Sequence, residues 1–490
     1  MSRTPVVAAV DQGTSSTKAI AIGPDGHVVA RASAPVAVEH PRPGWVEQDP
    51  LAIRDSVVAC LKKLGRNPAI EIVAIGIDNQ RESAIAWDRA TGDPVGPLLG
   101  WQDRRTAARA VELAGEPAAM VRRITGLPLD PMFSALKFEW ILNSIDPGRL
   151  KARAGKIVLG TVDAWLVRCL TGEERVEAGN AARTQVLDVD AVAWSPQVMD
   201  LLSIPAACLP PIVDSDAVSG PITVDGLTHL PPIHAIMGDS HAALFAHGAR
   251  TPGAVKATYG TGSSVMGLAG ETPSDDGGMV RTIGWSCHGR VARAFEGNIL
   301  STGATLAWLG EIVGRTPGEL DELAWTVESA GGVALVPAFD GLGAPWWDPA
   351  AKAVMTGMNL GTSVAHLARA AMDSIVFQIE DALTAADQEV GSRITSVYAD
   401  GGPTRNDRLM QLQANVSRRT IVRSGIAELS ASGVAQMAGF AVGLFDETAP
   451  PQAFGAHDSF IPQSDGLTAD VQAWHDALAR SRFADKNKGV

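Results

Sequence analysis

The sequence predicts an α/β protein made of two related halves that face each other across a cleft. Strand-like and helical runs alternate: "VVAAVDQGTSSTKAIAIG" reads as a two-stranded hairpin, "AIRDSVVACLKKLG" has helical apolar spacing, and "IEIVAIGIDN" returns as a buried strand. The opening pattern of apolar strand, Gly-Thr, hydroxyls and apolar strand then recurs, Gly13-Thr14-Ser15-Ser16 being echoed by Gly260-Thr261-Gly262-Ser263-Ser264. A chain of 490 residues is also too long for one core and suits two or three domains.

Taken in order, the first hairpin is followed by a tight turn at "GPDGH" and a third strand, "HVVARASA". The helix over "AIRDSVVACLKKLG" stops at a glycine before the strand "IEIVAIGIDN". Residues 105–200 are more helical, with apolar residues at helical intervals in "FSALKFEWIL". The second strand-rich block opens with "GAVKATYGTGSSVMGLAG". The domain boundary is placed at "AHGARTPG", giving domains 1–249 and 250–490. No low-complexity tether separates them, so the halves are expected to pack closely and to hinge. After about residue 465 the tail reads as one helix and a frayed end.

Composition narrows the function. The formal net charge of −13 argues against a nucleic-acid partner, which needs a basic face to meet phosphates. A small phosphate site works by local donors and is compatible with that charge. The four cysteines (Cys60, Cys169, Cys208, Cys287) are scattered, which fits reduced thiols and neither a zinc knuckle nor a disulfide framework. "MSRTPVVAAVD" lacks a signal-peptide core, and no stretch approaches the roughly 20 apolar residues of a membrane span. A soluble, cytoplasmic protein with no membrane partner is expected.

Four stretches carry residue types suited to chemistry. The turn "DQGTSST" would present consecutive backbone N–H groups beside the hydroxyls of Thr14, Ser15 and Ser16, a concavity that binds anions, with Lys18 adding a point charge. Asp11 repels a phosphate and makes sense there if a divalent cation lies between them. The stretch reads equally as an ordinary polar turn. The P-loop pattern and the G-x-G-x-x-G fingerprint are absent, so any nucleotide is held by another device.

In "PPIHAIMGDSHAALFAHG" a strand ends at Gly238-Asp239, leaving Asp239 in a strand-end crevice as either a helix cap or the general base for a hydroxyl. In "VYADGGPTRNDRLMQLQANV" a purine could slide over Gly401-Gly402 and meet Asn406, or Asn406 could simply cap the following helix. "GIDNQRESAIAWD" with "GWQDRRT" supplies Arg81, Glu82 and Trp101. These suit a polyol, through an acceptor, a donor and an aromatic wall, or else form a surface ion pair and a core tryptophan.

In this order the segments resemble the FGGY carbohydrate kinases, and within them the glycerol kinases. The likeness runs through "DQGTSSTKAI", "GWVEQDP", "NQRES", "WQDRRT", "TGLPLDPMFSALKFEWIL", "GTVDAWLVRCLTG", "NAART", "GDSHAALF", "ATYGTGSS", "VPAFDGLGAPWWDP", "TGMNLGTSVAHLARAAMDS" and "DGGPTRNDRLMQLQAN", over roughly residues 6–445. The resemblance implies the actin/hexokinase-like ATPase fold, two ribonuclease-H-like domains with ATP in a central cleft. It implies ATP-dependent phosphorylation of a primary hydroxyl of a small polyol, glycerol to glycerol 3-phosphate first among them, and a homodimer or homotetramer. By the same resemblance Thr14, Ser15, Ser16, Lys18 and Thr261 hold the phosphates, while Gly303, Gly402 and Asn406 line the adenosine site. Asp11 and Asp239 hold Mg²⁺, Asp239 is the general base, and Arg81, Glu82, Trp101, Phe133, Asp239 and Ser240 face the acceptor.

Two acceptor positions depart from the glycerol kinases. Those enzymes usually have D-Q-Q where this chain has Asp239-Ser240-His241, and a tyrosine where it has Phe133. An unpaired substrate hydroxyl in a closed site costs about 1–3 kcal/mol. Either glycerol binds more weakly or a longer polyol or ketose (erythritol, threitol, xylulose, ribulose) fills the space. His241 is read as a packing residue of the helix face. A pseudokinase would be expected to lack Asp11, Asp239 or the hairpin hydroxyls, and an actin-like ATPase would not need Arg81, Glu82 and Trp101.

Overall fold

A computed structural model describes residues 3–248, 250–270, 278–455, 457–463 and 468–483. The chain forms two compact units. Unit 1 comprises residues 1–248, 281–293 and 426–456; unit 2 comprises residues 249–280, 294–425 and 457–490.

The sheet of unit 1 runs in the order Ile233–Gly238, Ile70–Asn79, Thr4–Gln12, Ser16–Ile22, Val28–Pro35. The first three strands are mutually parallel, and the last two fold back antiparallel. Val6 to Val10 are all fully buried, because both faces of this strand are covered. On one face lies helix Pro50–Gly65, started by Asp49, whose side chain accepts from the Leu51 N–H at 2.8 Å, with Pro50 in the first turn. Its buried Ile53, Val57, Cys60, Leu61 and Leu64 form the stripe that the sequence spacing predicts. The region predicted to be more helical does carry helices, including Glu116–Thr125, Ser134–Ile145 and Val162–Thr171, and has its own core around Leu136, Phe138, Leu159 and Leu202.

Unit 2 repeats the plan. Its strands include, in order, Arg290–Ile299, Ser263–Leu268, Val255–Tyr259, Ser396–Asp400 and Thr420–Ser424, again two antiparallel pairings and two parallel ones, with His457–Phe460 added antiparallel to the last. The Gly-Thr echo therefore reports a repeated five-strand pattern. The 27-residue helix Val364–Val390 packs on the sheet with Ala368, Met372, Ile375, Ile379 and Leu383 buried. The tail helix Thr468–Phe483 docks against it, Trp474 being buried with its Nε1 donating to Asp381 Oδ2 at 2.9 Å. The frayed end expected at 484–490 lies outside the described residues. No helix among the described residues is long and apolar enough to cross a membrane.

A single cut at 249/250 does not divide the chain this way. The late segment 426–456 returns to unit 1 because helix Leu429–Ala441 is small and apolar enough to seat on the first sheet. A Cβ on Gly433 would lie 1.8 Å from the Ala242 carbonyl oxygen, so the two backbones meet at a distance only glycine allows. Segment 281–293 is also tied to unit 1: Arg293 donates to the Val189 and Asp190 carbonyls, and Ser286 Oγ donates to Asp214. Gly433→Ala is expected to destabilise the protein by about 1–3 kcal/mol or more, the usual cost of overpacking, as a shift of the urea midpoint at unchanged slope. An unshifted midpoint would contradict this packing.

Candidate active site

Strand register brings three carboxylates together in unit 1. Asp11 stands opposite Asp78 in the parallel pair and opposite Lys18 across the hairpin. Gly238 stands opposite Asn79, so Asp239 follows at the neighbouring strand end. Asp78 is fully buried; among the described residues its carboxylate oxygens meet no donor in strict hydrogen-bond geometry, and its side chain faces that of Asp11. Burial first, then the charges of Asp11 and Asp239, hold its pKa well above the usual carboxylate range. Burial and Asp239 likewise push Asp11 up to about 6, against the pull of Lys18. Asp78 is the site residue that the sequence reading missed, and its signal was the acid at the end of the strand "IEIVAIGIDN".

Such a charge excess suits a hard divalent cation. Among the described residues no three ligating side chains converge as a full cage. Mg²⁺ does not require one, since it takes one or two carboxylates and completes its shell with water and phosphate oxygens. Asp11 and Asp239 are the acids that could hold it.

Asp239 is the first residue of helix Asp239–Ala246, and Gly238 holds the cap position, so the helix-cap reading does not apply. Its Oδ1 accepts from Arg81 Nε at 3.1 Å and from the Ser240 N–H at 2.6 Å, and its side chain keeps 38% of its surface exposed. His241 is fully buried, with Nε2 3.4 Å from Arg81 Nη1. It packs behind Arg81, as the helix-face reading expected. Ser240 is half-buried beside them.

Arg81 and Glu82 do not form a surface ion pair. Both are buried, and each has a partner elsewhere in the sequence. Glu82 Oε1 accepts from Arg183 Nε at 2.6 Å, and its carbonyl accepts from Lys137 Nζ at 3.0 Å. Its φ of 60° is left-handed, which costs an L-residue about 1–2 kcal/mol. Phe133 is buried at the start of helix Ser134–Ile145, its ring 5.2 Å from the Arg183 guanidinium. Trp101 is no core residue: it is 36% exposed and its Nε1 donates to Thr14 Oγ1 at 3.1 Å. Arg183 and Lys137 were not singled out from sequence, although both lie in segments that carried the family resemblance.

The hairpin turn lies beside Trp101. Gly13 N–H donates to the Ser16 carbonyl, closing the turn, while among the described residues no acceptor takes the N–H groups of Thr14 and Ser15. Ser15 and Lys18 are exposed. From below, Gln48 Nε2 donates to the Thr14 carbonyl at 2.8 Å, and Gln80 Nε2 donates to Gln48 Oε1 at 2.9 Å. The turn is thus fixed from one side and offers hydroxyls and N–H donors on the other.

Unit 2 holds a cavity of about 650 Å³ lined by Gly303, Leu306, Trp325, Gly402 and Asn406, among others. That volume is of ligand size. The close backbone approach belongs to Gly401, with φ +97° and a would-be Cβ 2.0 Å from the Tyr259 carbonyl oxygen, whereas Gly402 faces open space. Asn406 lines the cavity, yet its oxygen caps helix Asp407–Ser417, accepting from the Arg408 and Leu409 N–H groups. Its Nδ2 donates to Asp321 Oδ1 at 2.6 Å, an acceptor shared with Trp325 Nε1. Asn406 is therefore a helix cap that also lines the cavity wall. The Thr261 turn is locked by the Thr302 and Ala304 N–H groups on the Thr261 carbonyl.

Models of the FGGY family of carbohydrate kinases match this chain over residues 6–246 (N-terminal domain) and 255–442 (C-terminal domain). A glycerol kinase of Alkalilimnicola ehrlichii is 38% identical over 487 residues, 97% of this chain and 98% of its relative. An apulose kinase of Pectobacterium atrosepticum is 38% identical over 494 residues, 98% and 99% of the two chains. The crystal structure of Plasmodium falciparum glycerol kinase with ADP has a TM-score of 0.93 to this fold at 27% identity, covering 98% of each chain.

Lys137 gives the site a pH signature. Burial pushes its pKa from 10.5 down to about 7, against the pull of Glu82, Asp103 and Asp130. The folded value lies below the unfolded one, so the group's contribution to stability is full above the unfolded pKa and is lost as pH falls toward 7. At 1.36 kcal/mol per unit the effect is on the order of several kcal/mol. Wild type is therefore expected to gain stability relative to Lys137→Met as pH rises from about 7 to about 10, read by urea melts across that range. A difference that stays flat with pH would contradict a neutral buried amine.

Proposed function

This chain belongs to the FGGY family of carbohydrate kinases, and from that premise we propose that it transfers the terminal phosphoryl group of ATP to a primary hydroxyl of a small polyol, glycerol being the leading candidate. It is a kinase of the carbohydrate class and uses ATP, as its family does. The observation that carries the finer reading is the pairing of Arg81 with a partly exposed Asp239 beside the acids Asp11 and Asp78.

In this reading Asp239 is the general base. The guanidinium on its Oδ1 favours the carboxylate form and fixes its direction. The base removes the proton of the attacking hydroxyl as the new O–P bond forms and ADP leaves. Glu82 accepts from a second hydroxyl of the acceptor, Arg81 donates to the acceptor, and Trp101 covers a C–H face. Lys18 and the free N–H groups of Thr14 and Ser15 balance charge on the phosphate oxygens. Mg²⁺ at Asp11 and Asp239 would supply the remaining neutralisation that phosphoryl transfer demands. In unit 2 the 650 Å³ cavity, with Gly303, Gly402 and Asn406 in its wall, is the adenosine site, and Thr261 serves the phosphates.

The apulose kinase relative favours a second reading, in which a ketose or longer polyol is the acceptor. Phe133 and Ser240 are the positions where this chain cannot make the hydrogen bonds expected of a glycerol site. A coupled ADP-release assay over glycerol, erythritol, threitol, xylulose and ribulose decides between the readings, and inactivity on all five rejects both. If glycerol is the acceptor, Phe133→Tyr is expected to raise its kcat/KM about tenfold by restoring one hydroxyl partner. Asp239→Asn is expected to keep the fold and ATP binding and to lose about 10²–10⁴-fold in kcat, the range of general-base help. Near-normal turnover in that variant removes Asp239 from the mechanism.

A further inference from the structure

Glu82 is held in a conformation that a glutamate does not choose for itself. We propose that Lys137 and Arg183 are positioning residues for the acceptor site, a buried amine and a buried guanidinium that grip Glu82 by its carbonyl and its carboxylate and keep its left-handed backbone in place. The proposal rests on the reading of Glu82 as the acceptor of a substrate hydroxyl. Lys137 Nζ donates to the Glu82 carbonyl at 3.0 Å and to the Met132 carbonyl at 2.6 Å. One amine thus ties Glu82 to the turn that carries Phe133. On the next residue, the Ser83 carbonyl accepts from Ser134 Oγ at 3.0 Å, a third tether between the same two segments.

Arg183 comes from another direction. It closes the short helix Ala178–Ala182, whose start is fixed by Glu177 accepting from the Gly179 and Asn180 N–H groups. The Asn180 amide pairs both ways with that of Asn79, at 3.0 and 3.3 Å, one residue beyond Asp78. The guanidinium on Glu82 is therefore placed by a helix anchored to the same strand end as the carboxylate cluster, and its plane lies against Phe133. A buried arginine with a carboxylate at 2.6 Å fixes both distance and direction, which a lysine at the same place does only in part. Glu82 is positioned before any substrate arrives, so binding spends nothing on ordering it.

The test compares Glu82→Gln, Arg183→Gln, Arg183→Lys, Lys137→Met and the double variants Glu82→Gln/Arg183→Gln and Glu82→Gln/Lys137→Met. It uses the full chain and whichever acceptor gives the highest turnover in the panel above. Arg183→Gln and Lys137→Met are expected to raise the acceptor KM about ten- to a hundredfold while leaving the KM for ATP within about twofold. Each double variant is expected to be no worse than Glu82→Gln alone, because the two side chains act through that residue. Arg183→Lys should recover part of the loss. If Glu82→Gln raises the acceptor KM but the Arg183 and Lys137 variants do not, or if the losses add in full, the proposal is overturned while the role of Glu82 survives. If Glu82→Gln leaves the acceptor KM unchanged, the reading of Glu82 as a substrate acceptor falls, and the proposal with it. Thermal melts identify any variant that does not fold; should Arg183→Gln be one, Arg183→Lys and Lys137→Met carry the same comparison.

Discussion

Three carboxylates crowd the ends of adjacent strands, and the repulsion among Asp11, Asp78 and Asp239 is the constraint from which the chemistry of unit 1 follows. Parallel pairing makes the crowding unavoidable, because the register sets Asp11 directly opposite Asp78. Arg81 relieves one of the three, Lys18 relieves another, and Asp78, held well above the usual carboxylate range, meets the side chain of Asp11. Burial penalises the charged form of such an acid. In the proposed function a divalent cation carried by the nucleotide would offset the charge of the cluster.

The acceptor side solves a different problem, that of holding a few polar groups still. Arg81 and Glu82 are neighbours in sequence but face different partners, Asp239 and Arg183, on elements more than a hundred positions away. Each buried charge is matched, which is the condition under which burial is tolerated. The glutamine pair Gln48 and Gln80 does the same for the hairpin turn, linking the Thr14 carbonyl to the residue before Arg81. The hairpin donors and the groups proposed to meet the acceptor are thereby fastened to one frame.

Unit 2 shows how one plan serves a second purpose. Its sheet repeats the strand order of unit 1, and its Gly-Thr turn is locked in a comparable way. In place of a carboxylate cluster it carries a cavity walled by Trp325, Leu306 and the glycine pair. Asp321 orders two of the wall's polar groups at once, the Asn406 amide and the Trp325 indole. A flat ligand would find that surface already set.

The sequence by itself determined the α/β class and the duplication and singled out most of the candidate site, because those features are written in local patterns. Apolar runs, Gly-Thr turns and strand-end acids have spacings that survive in one dimension, and they identified Asp11, Asp239, Arg81, Glu82 and Trp101. Only the tertiary structure decided who partners whom. Asp78 closes an apolar run as one strand-end acid among several, and its meaning appears only once strand register sets it against Asp11. Arg183, Lys137 and the return of residues 426–456 to unit 1 were invisible for a related reason. A buried ion pair, a lysine on a distant carbonyl and a glycine beneath another backbone are contacts between segments far apart along the chain, and no local periodicity encodes them.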